Sequence, residues 1–165
     1  MALENLKSTQ ITNRDAVPPV LNNATTDGGA LRADAAVITP SDSASVSSTF
    51  RMVSVPSNAR VHRVIFAAGA MTAGAFDIGV YKSTRDGGAV VDADFFASAV
   101  NCSAAVALTD VTNESTEYSV TEQTQPLWQA LGQTEDPKSE YDITLTCTTQ
   151  VTTGAAAVLK AEYVV

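Results

Sequence analysis

The closing stretch of the chain, residues 141–165, decides the fold and reads YDITLTCTTQVTTGAAAVLKAEYVV. Over its first nine residues apolar side chains alternate with polar ones, which is the period of a strand with one buried face. The apolar set on that face comprises Tyr141, Ile143, Leu145 and Cys147. After a short connection, a second strand over residues 155–165 presents Leu159, Ala161 and Tyr163. We therefore predict a β-hairpin whose two apolar sets build the core of a sandwich.

Short strands separated by turn residues recur through the preceding sequence. They are predicted over residues 35–39, 46–55, 60–68 and 76–81, and the second and third are expected to form an antiparallel pair around the turn at Pro56. On the third strand we expect Val61, Ile65 and Ala67 on one face, opposed to His62, Val64 and Phe66. This density of short strands predicts an all-β fold, an antiparallel β-sandwich of jelly-roll type.

Two segments are predicted to form short helices. In residues 90–106, Asp92 is a candidate cap for a helix that carries Phe95, Phe96 and Val100. A second helical turn is indicated by Thr124 as cap, Pro126 near the first helical position and Gly132 at the end. Trp128, the one tryptophan, lies in this turn and is interpreted as a core or subunit-contact anchor.

Residues 1–32 differ from the rest of the chain. Isolated aliphatic residues are spread among polar ones, Pro18 and Pro19 favour an extended course, and the spacing supports neither a helix nor a sheet. A mobile tail and an extended arm laid over a neighbouring subunit both fit, and the large aliphatic residues favour the arm. We therefore divide the chain into an arm, 1–32, and a β-sandwich domain, 33–165. The candidate contact residues are Leu3, Leu6, Ile11, Val17, Pro18, Pro19, Val20, Leu21 and Trp128.

The charge balance excludes one class of partner. The formal net charge is −8, and the tightest basic group, Arg60, His62 and Arg63, is interpreted as exposed positions on one strand. Nucleic acid is therefore not expected as a partner, because phosphate binding needs clustered Lys and Arg. Charged residues make up only 17% of the chain. Such a surface suits a soluble protein on its own or a subunit packed against neighbours.

Neither a secretory signal nor a membrane span is indicated by the sequence. The amino terminus has an acidic residue early and no continuous apolar run, so synthesis and folding in the cytoplasm are expected. No segment approaches the roughly 20 apolar residues of a membrane helix, and a membrane protein is not expected.

No catalytic constellation is evident. His62 is the single histidine, so a Ser-His-Asp relay, a Cys-His pair or a metal site would have to form around it. The acid pairs Asp92/Asp94 and Glu135/Asp136 are interpreted as helix capping and solvated groups, because carbohydrate chemistry usually adds flanking aromatic residues. A calcium loop running from Asp86 through Asp92 and Asp94 is disfavoured, since it lacks the EF-hand order. We predict a protein that is not an enzyme and needs neither a cofactor nor a metal.

The two cysteines, Cys102 and Cys147, lack the spacing of a metal or redox motif. We interpret them as core thiols, and a disulfide between them is the alternative.

Part of the sequence, roughly residues 45–165, resembles the capsid decoration, or cement, proteins of tailed bacteriophages. The resemblance is carried by residues 50–56 (FRMVSVP), 61–66 (VHRVIF), 76–81 (FDIGVY) and 158–165 (VLKAEYVV). It implies a β-sandwich subunit, commonly a trimer, on the outer surface of the virion's capsid at three-fold positions. There it would bridge neighbouring major capsid protein subunits against internal DNA pressure, and no catalytic residue is implied. The acidic balance is compatible with an outward-facing position.

Two other classes of function stay open. A virion-associated host-binding or glycan-binding module would share the β-sandwich, but should show clustered exposed aromatic residues or a metal loop. A small hydrolase lacks a second histidine or a convincing acid pair in this sequence.

Overall fold

The computed structural model describes residues 6–22 and 29–165 and divides into two compact units, Met1–Ala30 and Leu31–Val165. In the first unit, α1 spans Thr9–Asp15, and the Ser8 hydroxyl accepts a hydrogen bond from the Ile11 N–H at 3.3 Å. The expectation that this segment holds no helix is therefore wrong. The side-chain cap supplies the start signal, because it satisfies an amide that has no partner within the helix.

The second unit is an antiparallel β-sandwich, as predicted. One sheet has the strand order β1-β8-β3-β6 and the other β2-β7-β4-β5, which matches an eight-stranded jelly roll. The strands are β1 Leu31–Ile38, β2 Thr49–Pro56, β3 Arg60–Ala68, β4 Ala75–Lys82, β5 Val90–Asn101, β6 Val106–Asp110, β7 Glu140–Thr149 and β8 Ala157–Val164. Short helical elements follow at Thr84–Asp86, Glu122–Thr124 and Leu127–Ala130. Among the described helices, none combines the length and apolarity required to cross a membrane.

The predicted closing hairpin is wrong in its pairing. β7 pairs with β2 and β4, whereas β8 lies in the other sheet between β1 and β3. The expected β2–β3 pair is wrong for the same reason, because these strands also lie in opposite sheets. A strand shows the same alternation whether its chain neighbour pairs with it or lies in the opposite sheet, because both sheets bury their inner faces against each other. The predicted inward sets of β7 and β8 are indeed buried.

A bulge in β3 overturns the predicted face assignment of that strand. The pairing with β8 shifts register between Val61 and Arg63, so Val61, Val64 and Phe66 are all buried in the core. The extra residue at the bulge leaves the strand's inward set out of strict alternation. Arg60, expected to be exposed, is buried at the start of the strand, while His62 and Arg63 are exposed as predicted.

The helix predicted within residues 90–106 is wrong, because this segment forms β5. Ile78 of β4 faces Ala97, but Val80 faces Asp92, so β5 carries extra residues in a large bulge. Consecutive residues Phe95 and Phe96 are consequently both buried, which imitates a helical face. The interpretation of Asp92 and Asp94 as helix caps fails with it.

The bulge in β5 requires Gly79 on β4. A Cβ at this position would lie 2.2 Å from the Asp92 carbonyl oxygen and 2.3 Å from backbone atoms of Ala93. Only a residue without a side chain allows the two backbones to approach this closely.

The second predicted helical turn is confirmed as α2, Leu127–Ala130. Its cap position is Pro126, whereas Thr124, the predicted cap, lies in the preceding 3₁₀ turn. Gly132 follows the helix with φ +71°, a left-handed conformation that glycine adopts without strain. Strand β6 was not predicted, since the sequence around Leu108 has no clear alternation.

Candidate assembly surface

The outward surface of the β1-β8-β3-β6 sheet, here called the outer face, is a mixed array of small, apolar and charged residues. Ala157, Leu159, Ala161 and Tyr163 of β8 are buried, so the alternate residues Val158, Lys160 and Glu162 point outward. The strand register then gives three rows across the sheet. They are Val37–Val158–Ala67, Ala35–Lys160–Ile65–Asp110 and Ala33–Glu162–Arg63.

Charges on the outer face are paired within the face. Lys160 Nζ lies 2.5 Å from Glu162 Oε1, and Arg63 Nε lies 2.9 Å from Asp110 Oδ2. The hydrogen bond from Lys160 is the main reason that the pKa of Glu162 is lowered. Two cations and two carboxylates cancel, so these rows are neutral in a chain whose formal net charge is −8. A neutral face can approach another surface without long-range repulsion.

The predicted arm residues are largely exposed. Leu6, Val17 and Leu21 have 86%, 97% and 95% of their surface accessible. Pro18, Pro19 and Val20 are also exposed, Ile11 on α1 is half-buried, and Leu3 lies outside the described residues. Large apolar side chains so exposed fit a segment that gains burial from a partner.

Trp128 lies in the second unit, apart in sequence from the arm residues, and is half-buried on α2. Its backbone N–H donates to the Ser57 carbonyl at 3.0 Å, while the Leu127 N–H donates to Ala59 at 2.8 Å. These bonds fasten α2 to the turn between β2 and β3. The role of Trp128 as a contact residue stays a prediction.

The bulge in β5 creates a group of carboxylates. Oxygens of Asp92, Asp94 and Glu117 lie within 4.8 Å of one another. The pKa of Glu117 is raised, first by its hydrogen bond with Asp92 and then by the negative charges of Asp92 and Asp94. Such spacing could suit a divalent cation, but exposed carboxylates often gather without one, and the cluster by itself assigns no metal.

The residues of the calcium loop that the sequence disfavours are not brought together as one ligand set. Asp86 lies in a 3₁₀ turn, where its carboxylate accepts a hydrogen bond from Ser83 at 3.0 Å. It is not part of the group formed by Asp92, Asp94 and Glu117.

Asp77 of β4 belongs to the same acidic region. Burial raises its pKa, the hydrogen bond from the Ala99 N–H at 2.7 Å opposes the rise, and Asp94 and Glu114 add to it. This end of the β4–β5 pair therefore carries electrostatic repulsion at neutral pH.

A polar cleft of about 550 Å³ opens between the β2–β3 turn, the β4–β5 turn and the segment that leads into β7. Its lining holds charges of both signs but no aromatic residue, so it lacks the stacking surface expected of a glycan-binding module. The lining residues are Pro56, Ser57, Asn58, Ser83, Arg85, Asp86, Asp136, Lys138, Ser139 and Glu140.

Both cysteines are free and buried, which confirms their interpretation as core thiols. Burial raises the pKa of Cys102 to about 11 and also raises that of Cys147. Neither thiol is thus activated as a nucleophile at neutral pH, because the thiolate is the reactive form.

The outer face was not anticipated from the sequence. Its rows join residues of β1, β3, β6 and β8 that are far apart along the chain. The one local signal is the alternation of Leu31, Ala33, Ala35 and Val37 with their neighbours on β1.

Comparison with known proteins gives a structural match. No family model matches the chain, and no curated protein matches it in sequence. Among solved structures, a chain of the "Cyanophage Pam1 capsid asymmetric unit" has a similar fold, with a TM-score of 0.52 and 11% sequence identity. The match covers 84% of this chain and 87% of that chain, so the two chains are of similar length. At this identity the likeness shows that the two chains share a fold.

Proposed function

We propose that the protein is a structural component of a phage virion, which binds the outer surface of the capsid and bridges neighbouring major capsid protein subunits. The observation that carries the proposal is the fold shared over most of both chains with a component of a phage capsid. The resemblance of residues 45–165 to decoration proteins rests on the sequence alone and points to the same class.

The surface of the protein supports a role based on contact rather than catalysis. Leu6, Val17 and Leu21 are almost fully exposed and would gain burial on a capsid. The acidic balance of the chain favours the outside of the shell, because packaged DNA lies inside. Many modest contacts repeated over a lattice would stabilise a shell. The trimeric state and three-fold position implied by the resemblance belong to this proposal.

The test is to mix the full-length protein with shells of its own virus assembled without it, then measure co-sedimentation and resistance of the shells to heat. Binding at defined lattice positions and more stable shells are expected. Absence of binding would overturn the capsid role.

The arm is tested separately with the triple variant Leu6→Ser/Val17→Ser/Leu21→Ser, which should weaken shell binding about tenfold or more by removing exposed apolar contacts. The matched control is Val46→Ser/Val120→Ser, which removes exposed apolar residues of the second unit that lie outside the outer face and should bind normally. Unchanged binding of the triple variant would reject the arm while leaving the capsid role intact.

A further inference from the structure

The strand β1 is an edge strand with unusually high exposure. Among the strands in residues 6–22 and 29–165, it pairs with β8 alone and stands at the end of its sheet. Leu31 and Val37 are 65% and 64% exposed, and Arg32 and Asp34 are exposed as well. Exposed edges are sites for pairing with another strand, and natural proteins usually shield them.

The backbone of β1 shows which groups face the free edge. The Ala35 N–H donates to the Asp34 carboxylate at 2.8 Å and so is directed away from β8. Because N–H and C=O groups alternate in direction along a strand, Leu31 and Ala33 also present their backbone groups to the free edge. The backbone groups of Arg32 and Asp34 point toward β8 instead, and the side chains of these two residues lie on the same face of the strand.

From these features we propose that two copies of the chain pair β1 with β1 in antiparallel fashion about a two-fold axis centred on Ala33. In this register the residue numbers of facing partners sum to 66, so Arg32 faces the second copy's Asp34, and the reverse. The odd-numbered residues from Leu31 to Ala35 then form about six backbone hydrogen bonds across the axis, and in each copy the Ala35 N–H exchanges its bond to Asp34 for one of them. Such a two-fold contact places the same surface of each copy against itself.

Charge complementarity selects this register over its neighbours. A slip that brings the facing sum to 68 places Asp34 against Asp34, and a sum of 64 places Arg32 against Arg32. Directly opposed like charges destabilise strand pairing, whereas opposite charges stabilise it. Facing side chains of non-hydrogen-bonded pairs are also the closer ones, with Cα atoms about 4.5 Å apart, which suits the Arg32–Asp34 contacts.

The neutral outer face allows this approach in an acidic chain. Lys160 with Glu162 and Arg63 with Asp110 are already paired, so the surface beside β1 adds little repulsion between copies. The contact does not depend on capsid binding. In a trimeric protein it would join two trimers, and otherwise it would join two monomers.

The first test uses sedimentation velocity of the full-length protein over a range of concentrations. Ala33→Pro removes a free-edge N–H without touching the β1–β8 bonds, and should halve the mass of the associated species while the circular dichroism spectrum stays the same. A protein whose mass does not depend on concentration, or association that survives Ala33→Pro, would overturn the proposal. If the isolated protein does not associate but Ala33→Pro abolishes shell binding, β1 pairs with a capsid strand instead and a second copy is rejected as occupant.

The second test uses charge reversal. Arg32→Asp and Asp34→Arg each place like charges opposite each other and should weaken self-association about tenfold or more. An equimolar mixture of the two variants should associate again, because every facing pair is then opposite in charge. The double variant Arg32→Asp/Asp34→Arg should also recover, and Arg85→Asp, an exposed charge change elsewhere, should have no effect. Failure of both the mixture and the double variant to recover would refute the register.

Discussion

Replacing Gly79 with alanine should strongly destabilise the sandwich. The added Cβ would lie 2.2 Å from the Asp92 carbonyl oxygen, below the 3.0 Å that real Cβ contacts respect, so the strands would have to separate by at least 0.8 Å (3.0 minus 2.2). The obstacle is backbone of β5, which cannot rotate away as a flexible side chain can. Overpacking of this kind costs 1–3 kcal/mol, and weakened β4–β5 hydrogen bonds add to it, so we expect about 3 kcal/mol.

The measurement is the free energy of unfolding from urea denaturation of wild type and variant. The slope of that free energy against urea concentration is compared as well, because it reports the surface exposed on unfolding. Gly74→Ala is the matched control, because Gly74 is also buried but its added Cβ would meet side-chain atoms of Met71 and Val151 at 3.3 Å and 3.5 Å. The control should cost about 1 kcal/mol or less. Equal costs for the two variants, or a loss below about 1 kcal/mol for Gly79→Ala, would refute the tight approach of β4 and β5.

Two further predictions concern buried or crowded polar groups. The pKa of Asp77 is raised in the folded protein, so its charged form is destabilising at pH 7 and the penalty fades as pH falls through that pKa. Asp77→Asn should therefore be more stable than wild type at pH 7 and lose this advantage near pH 4; thermal unfolding that shows the same difference at both pH values would contradict it. Tyr118 donates its buried hydroxyl to the Val61 carbonyl at 2.5 Å, beside the bulge in β3. Tyr118→Phe removes the hydroxyl donor to that carbonyl and should lower the free energy of unfolding in urea by about 1–2 kcal/mol. An unchanged free energy of unfolding would show that this hydrogen bond does not stabilise the fold.

The acidic region around β5 illustrates what a local pattern can miss. The sequence suggests helix caps at Asp92 and Asp94 because Phe95, Phe96 and Val100 follow at spacings that fit a helical face. The spacing instead reflects a bulge opposite Gly79, which turns consecutive residues into the core. Glu117 completes the carboxylate cluster from a segment more than 20 residues away, a proximity that the sequence does not encode locally.

The candidate assembly surface also has one part that the sequence reveals and another that depends on the tertiary structure. The exposed aliphatic residues of the arm could be picked out from the sequence, because large apolar residues scattered among polar ones have no local partner to bury them. The outer face and the free edge of β1 could not, since both depend on which strands become neighbours. Trp128 stands out in the sequence as the one tryptophan on a predicted helical turn, and its half-buried place on α2 follows from bonds to the β2–β3 turn.

The sequence by itself determined the class of the fold and the buried face of its closing strands. Alternation with period two follows from strand geometry alone, so Ile143, Leu145 and Leu159 could be assigned to the core without knowing their partners. Tertiary structure decided which strands pair. β7 and β8 each bury one face whether they share a sheet or lie in opposite ones, and packing of the whole chain separates the two cases. The same packing leaves β1 at an edge of its sheet. There Arg32 and Asp34 are exposed and available for the proposed pairing with a second copy.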